Sequence, residues 1–369
     1  MKQTNASNAE KFFAIIPAGG VGSRLWPLSR ASAPKFLHDL TGSGQTLLQD
    51  TWDRLEPIAK GRTMVVTGNV HAAAVAEQLP ELDPENLILE PSPKDSTAAI
   101  ALAAAVLLER DPEVIIGSFA ADHVILDQKA FEQSVLEAIE VAALGNIVTI
   151  GVRPTEASVA FGYIQKGKKL KTATAFRVQK FKEKPSISVA KKYVESGEYL
   201  WNAGMFIAPA KLLLDVLEQT EPELHAQITE LAKAFGTPSQ NATLASIWPN
   251  LKKIAIDYSV AEPAAKQGVV AVVPGEFEWH DVGDFASIAE LQSQGRKGNL
   301  AVLGSARVLS DSSSGILVSD TNRLVALIGL EDVIVVDTPD ALLITTKEHA
   351  QKVKSLVDAL KQTGHSELL

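Results

Sequence analysis

The chain has no cysteine among its 369 residues. Disulfides, a thiolate nucleophile and cysteine metal sites are therefore excluded. Its longest apolar run, Ala98 to Leu108, is too short to span a bilayer. The first ten residues, MKQTNASNAE, lack the apolar core of a signal peptide. Aromatic residues make up only 6% of the chain, and the formal net charge is −9. A basic face is missing, which argues against a nucleic-acid partner. These absences suit a cytoplasmic protein with neither nucleic acid nor membrane to bind.

A local absence is more informative. From Lys11 to His38 there is no acidic residue, although the chain holds 44 of them. Residues 12–37 read FFAIIPAGGVGSRLWPLSRASAPKFL. The apolar run Phe12–Ile16 predicts a strand. It opens into a loop holding Gly19, Gly20 and Gly22, and Arg24, Arg30 and Lys35 follow. Bare backbone N–H groups at a strand end, beside cations, suit a phosphate. The competing reading is a tight strand-to-helix turn. Arg24 and Lys35 favour phosphate, because Arg grips it bidentately and Lys adds a point charge. Two phosphate loops are excluded. GxxxxGK[ST] is absent, and no third glycine follows Gly20-Val21-Gly22 at dinucleotide spacing.

The first half alternates apolar runs with helical stretches. Strands are expected at Phe12–Ile16, Thr63–Thr67, Asn86–Leu89, Val114–Phe119 and Ile147–Val152. Helices are expected near Leu47–Ile58, His71–Leu79, Ser96–Glu109 and Gln128–Leu144. Such alternation predicts an α/β fold with a Rossmann-like, mostly parallel sheet flanked by helices. Ligands bind beyond the carboxyl ends of such strands. From Gly151 the pattern shifts to strands at Phe161–Gln165, Ala175–Phe181 and Leu200–Ala208, which read as an insertion or lid. After Gln294 comes the linker GRKGN, and then short strands at Gly315–Ser319, Arg323–Ile328, Val333–Val336 and Ala341–Thr345. A helix near Glu348–Lys361 is expected to end the fold. The expected organisation is a disordered tail over 1–10, a catalytic domain over 11–295, and a small β-rich C-terminal domain over 296–369.

Two aspartates stand out. Asp122 follows the apolar strand Val114–Phe119, and Asp281 lies in Trp279-His280-Asp281-Val282-Gly283. Two carboxylates with phosphate oxygens and waters suit Mg²⁺. The plainer readings are a turn residue for Asp122 and a helix N-cap for Asp281, although Asp284 fits the cap better. Phe181-Lys182-Glu183-Lys184-Pro185 reads from its residues first as a charged surface turn ended by Pro, and second as a pair for a sugar hydroxyl and a phosphate.

GGVGSRLWPLSR with PKFL resembles the signature of sugar-phosphate nucleotidyltransferases, and the Trp26-to-Arg30 version is most similar to mannose-1-phosphate guanylyltransferases. The resemblance continues in order through Glu90-Pro91 with Lys94 to Ile100, Ala121-Asp122-His123, Phe161-Gly162-Tyr163-Ile164, Phe181 to Pro185, Trp201-Asn202-Ala203-Gly204, Ile256-Asp257-Tyr258 and Trp279 to Gly283. It covers roughly residues 12–290. The chain departs from common forms with PKFL for PKQFL, DSTAAI for NTAPAI, and WNAG for WNSG.

The resemblance implies transfer of a nucleotidyl group from GTP to mannose 1-phosphate, giving GDP-mannose and pyrophosphate by direct in-line attack. It implies Arg24 and Lys35 as catalytic cations. Ala18, Gly19, Gly20, Gly22 and Ser23 would pack on the nucleotide, with Glu90, Ser96 and Thr97 near base or ribose. Gly162, Glu183, Lys184, Asn202 and Gly204 would bind the sugar phosphate. Asp122 and Asp281 would hold Mg²⁺. A phosphate monoester is mostly dianionic at neutral pH, so the nucleophile needs no general base. The runner-up pairs glucose 1-phosphate with dTTP or UTP, and a non-catalytic sugar-nucleotide sensor is the alternative from another class. No chemical motif marks the C-terminal segment, which is expected to pack on the catalytic part or to form a homodimer contact.

Overall fold

The structure is a computed structural model, and it describes residues 8–171, 174–293 and 299–369. Residues 1–7 of the tail expected over 1–10, and residues 295–298 of the linker expected over 295–299, lie outside the described residues. Residues 8–10 form a helical turn held by Arg62 Nη2, which donates to Ala9 O at 3.0 Å. The chain forms two compact units. The first gathers residues up to 19 with 51–120 and 125–279. The second gathers residues 20–50, 121–124 and 280–369. The cation-bearing stretch after the glycines thus belongs with the C-terminal strands, whereas the sequence pattern places a boundary near residue 295.

The first unit is built on a nine-stranded sheet. Strands β1 (Phe12–Ala18), β2 (Thr63–Gly68), β3 (Leu87–Glu90) and β4 (Ile115–Ser118) are mutually parallel, in the order β3-β2-β1-β4. Their apolar runs are continuous because both sheet faces are covered. Phe12 begins the edge-to-face chain Phe12, Phe119, Phe131, Phe277. Ile15 points the other way, as strand alternation requires, into the core with Ala98–Leu107. The helix Asp95–Arg110 is buried on every side from Thr97 to Leu107. Its many alanines let it lie between the sheet and the helices Ala210–Thr220 and Pro222–Ala234.

After β5 (His123–Ile125) and β6 (Ile147–Val152), the chain forms β7 (Tyr163–Lys169), β8 (Phe176–Lys182), β9 (Tyr199–Pro209), β10 (Val270–Gly275) and β11 (Trp279–Asp281). Strands β7, β8 and β9 are not a lid. They extend the same sheet, and β9 runs antiparallel to both β4 and β6. The sheet is therefore parallel in its first half and mixed beyond β4. Strands β5 and β11 pair with each other. That pairing brings residues 121–124 and 280–281 into the second unit together.

The second unit stacks β12 (Leu300–Gly304), β14 (Gly315–Ser319) and β16 (Val333–Asp337) in parallel register. Between them, β13 (Arg307–Asp311) and β15 (Leu324–Ile328) pair in parallel as a second face. Strand β17 (Leu342–Thr346) returns antiparallel to β16. Leu317, Leu327, Val333 and Val335 fill the coil interior. Outside it, Leu25, Leu28, Leu40, Val282, Phe285, Ile316, Ile334 and Val353 form one core. Trp26 Nε1 donates to Leu368 O at 2.7 Å. Arg30, expected beside the phosphate loop, instead forms a bidentate pair with Asp340 at 2.7 and 3.1 Å. It serves as a clamp in this unit.

Candidate active site

In the second unit, the glycine loop is set by a close approach. Gly22 has φ +73°, and a Cβ there would come within 2.6 Å of Lys35 Cβ. Only glycine fits such a position without strain. Ser29 Oγ donates to Gly22 O at 2.5 Å, and Lys35 N donates to Val21 O at 3.2 Å. These bonds fix the loop against the short helical turn Lys35–Leu37.

Lys35 is 5% exposed and its ammonium is fully engaged. It lies 2.8 Å from Asp122 Oδ2 and 3.7 Å from Asp281 Oδ1, and it donates to Val282 O at 2.8 Å. Burial opposes its charge, but Asp122 and Asp281 outweigh burial and hold its pKa above the ordinary lysine value. Burial likewise opposes ionisation of Asp122, and Lys35, then His123, overcome it and lower its pKa. Asp284 caps the helix Phe285–Ser293 by accepting from Ser287 N at 2.9 Å. That capping role is not assigned to Asp281, which faces the lysine. Arg24 passes over Gly283, where a Cβ would sit 3.3 Å from Arg24 Nη1. Gly20, Gly22, Ser23, Arg24, Lys35, Asp122, Asp281 and Gly283 line a cavity of about 300 Å³, with Lys354 as a further lining residue.

In the first unit, Ala18 is buried at the end of β1. Gly19 follows it, and a Cβ on Gly19 would lie 3.4 Å from Glu90 Oε2. Glu90 is 6% exposed and its Oε1 has no hydrogen-bond partner. Burial pushes its carboxyl up to about 7. A buried polar atom without a partner is uncommon and calls for an explanation. Ser96 and Thr97 are placed differently. Ser96 Oγ accepts from Ile256 N at 3.0 Å, and the fully buried Thr97 hydroxyl bonds Ser259 Oγ at 2.8 Å. Each hydroxyl thus has a partner inside the unit, and Ser96, half-buried, keeps its own O–H to donate.

A second cluster of the first unit surrounds Glu183. A Cβ at Gly162 would run into Glu183 Oε2, so the missing side chain makes room for the carboxylate. Glu183 Oε1 meets Lys184 Nζ at 2.8 Å, and Glu183 N donates to Glu262 Oε1 at 3.1 Å. Burial lowers the Lys184 pKa, but Glu183 and Asp257 reverse this and raise it. Asn202 Oδ1 accepts from Thr149 Oγ1 at 2.7 Å and from Gly204 N at 3.2 Å. Its Nδ2 donates to Asp257 Oδ1 at 2.9 Å. Gly204 takes φ +69° next to the register shift between β6 and β9. Such bulges re-aim side chains.

Glycine loop, paired carboxylates and cations agree with a comparison of the whole chain. The model of the nucleotidyl transferase family matches residues 13–298. The chain belongs to that family. A beta-helix domain model of the mannose-phosphate isomerase and GMP-like type matches residues 306–360. The mannose-1-phosphate guanylyltransferase of Escherichia coli K12 is 36% identical over 97% of this chain and 75% of its own length. The xanthan biosynthesis protein XanB of Xanthomonas campestris is 36% identical over 96% of this chain and 74% of its own. A crystal structure named mannose-1-phosphate geranyltransferase, from Thermus thermophilus, has 30% identity and a TM-score of 0.84. It covers 95% of this chain and 99% of its own.

Two residues of this nucleotidyl transferase escape a sequence reading. Asp257 opens a π-helical turn, Asp257–Ala261, a rare form often found at functional sites. Burial, followed by the Glu183 charge, pushes its carboxyl up to about 7. The signal was present in Ile256-Asp257-Tyr258, but nothing local marks that aspartate as facing Asn202. Lys354 has no motif at all, since its place depends on how the last helix packs. Among the described residues, no helix is long and apolar enough to cross a membrane.

Proposed function

We propose that the chain transfers a guanylyl group from GTP to mannose 1-phosphate, releasing pyrophosphate and forming GDP-mannose. The observation that carries the transfer chemistry is the convergence of Asp122 and Asp281 on Lys35 beside Gly22, with Arg24 at the same cavity. The choice of GTP and mannose 1-phosphate rests on relatives named mannose-1-phosphate guanylyltransferase, which align over nearly the whole chain.

In the reaction, a phosphate oxygen of mannose 1-phosphate attacks the α-phosphorus of GTP. The bond to the β-phosphate oxygen breaks, and pyrophosphate leaves with that electron pair. The attacking phosphate is mostly dianionic at neutral pH, so no protein base is needed. The obstacle is repulsion between two anions, and position and fixed charge overcome it. Arg24 grips the triphosphate through its planar fork. Lys35 holds the two carboxylates in place and adds its own charge. Ala18, Gly19, Gly20, Gly22 and Ser23 offer close backbone to the nucleotide. Glu90 accepts from the donor edge of guanine. Glu183 and Asp257 accept from sugar hydroxyls, Asn202 orients Asp257, and Lys184 meets the sugar phosphate. Gly162 and Gly204 leave room for that set.

The residues fit a divalent ion. Asp122 and Asp281 turn oxygens toward one positive centre, and among the described residues no third His, Cys, Asp or Glu joins them. Magnesium favours such sites, with phosphate and water completing its shell. When bound by these two carboxylates, Mg²⁺ would supply charge that screens the phosphates.

The test is pyrophosphate release from four nucleoside triphosphates against several hexose 1-phosphates, with Mg²⁺. Fastest release with GTP and mannose 1-phosphate is expected. Fastest release with glucose 1-phosphate and dTTP or UTP would select the runner-up, and no release from any pair would leave a sensor. The proposal includes the homodimer expected from the sequence, which sedimentation at micromolar concentration would reveal.

A further inference from the structure

The C-terminal helix Val353–Thr363 brings a charge to the cation–carboxylate cavity that no motif assigns there. Its inward residues set its roll. Val353 and Val357 are buried, and Val353 shares a core with Leu25, Leu28 and Val282. With Val353 turned inward, the next side chain, Lys354, reaches the wall of the cavity that holds Arg24, Lys35, Asp122 and Asp281.

Charge counting makes this residue matter. Lys35 already serves Asp122, Asp281 and the Val282 carbonyl. Without Lys354 the ionised lining has two cations and two carboxylates, so it is neutral. With Lys354 it has one net positive charge. Among the described residues no carboxylate pairs with Lys354. A lysine is a mobile point charge on a long stem, suited to a phosphate chain whose outer groups move as they leave.

We propose that Lys354 is the third cation of the phosphate site and binds the β- and γ-phosphates that depart as pyrophosphate. This rests on the nucleotidyl-transfer reading. It also gives the C-terminal helix a share in the chemistry.

The test is calorimetric titration of magnesium pyrophosphate into the parent, Lys354→Ala, Lys354→Arg and Lys361→Ala. Lys361 is a control on the same helix, 3.8 Å from Asp358. Lys354→Ala should weaken pyrophosphate binding by roughly tenfold or more, as loss of a charge-assisted contact does. The KM for GTP should rise by a similar factor with kcat changed less. Lys354→Arg should keep most of the affinity, and Lys361→Ala should match the parent. Parent-like binding by Lys354→Ala, or no pyrophosphate binding by the parent, overturns the assignment. The transfer reading fails on a different result, namely no pyrophosphate release by the parent from any pair of substrates.

Discussion

Replacing Glu90 by glutamine should remove a proton that binding otherwise displaces. Glu90 is 6% exposed, its Oε1 is unpartnered, and burial pushes its carboxyl up to about 7. Guanine offers N–H donors, which an ionised carboxylate accepts best. If only the ionised form binds, about one molecule in eleven is competent one unit below the pKa. Affinity should then fall about tenfold between pH 8 and pH 6. GDP-mannose is the right probe, because it lacks the monoester phosphate that titrates near pH 6. Asp257 also titrates near 7 and stays in both proteins. The difference between the parent and Glu90→Gln slopes therefore belongs to Glu90. Stability carries the opposite sign. The folded carboxyl binds its proton more tightly than the unfolded one, so the ligand-free protein loses stability as pH rises from about 4.5 to about 7. The loss is at most about 3 kcal/mol, and Glu90→Gln should lack it. Equal pH slopes of affinity in parent and variant would refute the role of Glu90 at the base.

Lys35→Ala should cut turnover by roughly 10²-fold or more, since a preorganised charge contact is lost, and should lower stability because Asp122 loses its buried partner; near-normal turnover of the folded variant would remove Lys35 from the chemistry. Asp281→Asn should abolish magnesium-dependent activity, and a metal titration equal to the parent's would return Asp281 to a loop role. Gly22→Ala should destabilise the second unit by roughly 1–3 kcal/mol through its left-handed backbone and the clash with Lys35, which denaturant unfolding would measure. Gly162→Ala should displace the Glu183 carboxylate and raise the KM for mannose 1-phosphate while leaving that for GTP nearly unchanged. An unchanged sugar-phosphate KM would separate Glu183 from the sugar.

Local chemistry made much of this chain legible. The run Phe12–Ile16 lies within β1, and the alanine-rich stretch after Asp95 is a helix because uniform apolarity at that length leaves few other choices. Absence of acid around Arg24 and Lys35 pointed to a cavity that both residues line. What stayed hidden depends on distant partners. Nothing in YLWNAGMFIAP says that β9 runs against β4 and β6. Arg30 resembles Arg24 in sequence, and only Asp340, 310 residues later, turns it into a clamp. Thr97 is expected near base or ribose on the resemblance, and its bond to Ser259, 162 residues later, is invisible in the sequence. Asn202 reads as a sugar ligand, yet Thr149 and Asp257 show that its amide is aligned from both ends.

In the proposed reaction the protein supplies charge and position but no nucleophile. Isotope exchange between labelled pyrophosphate and GTP measures this most directly. Direct attack by the sugar phosphate predicts that label enters GTP when GDP-mannose is present and not when GTP and pyrophosphate are the only substrates. Label entering GTP in the absence of any sugar compound would reveal a guanylyl group attached to the protein and would contradict direct attack.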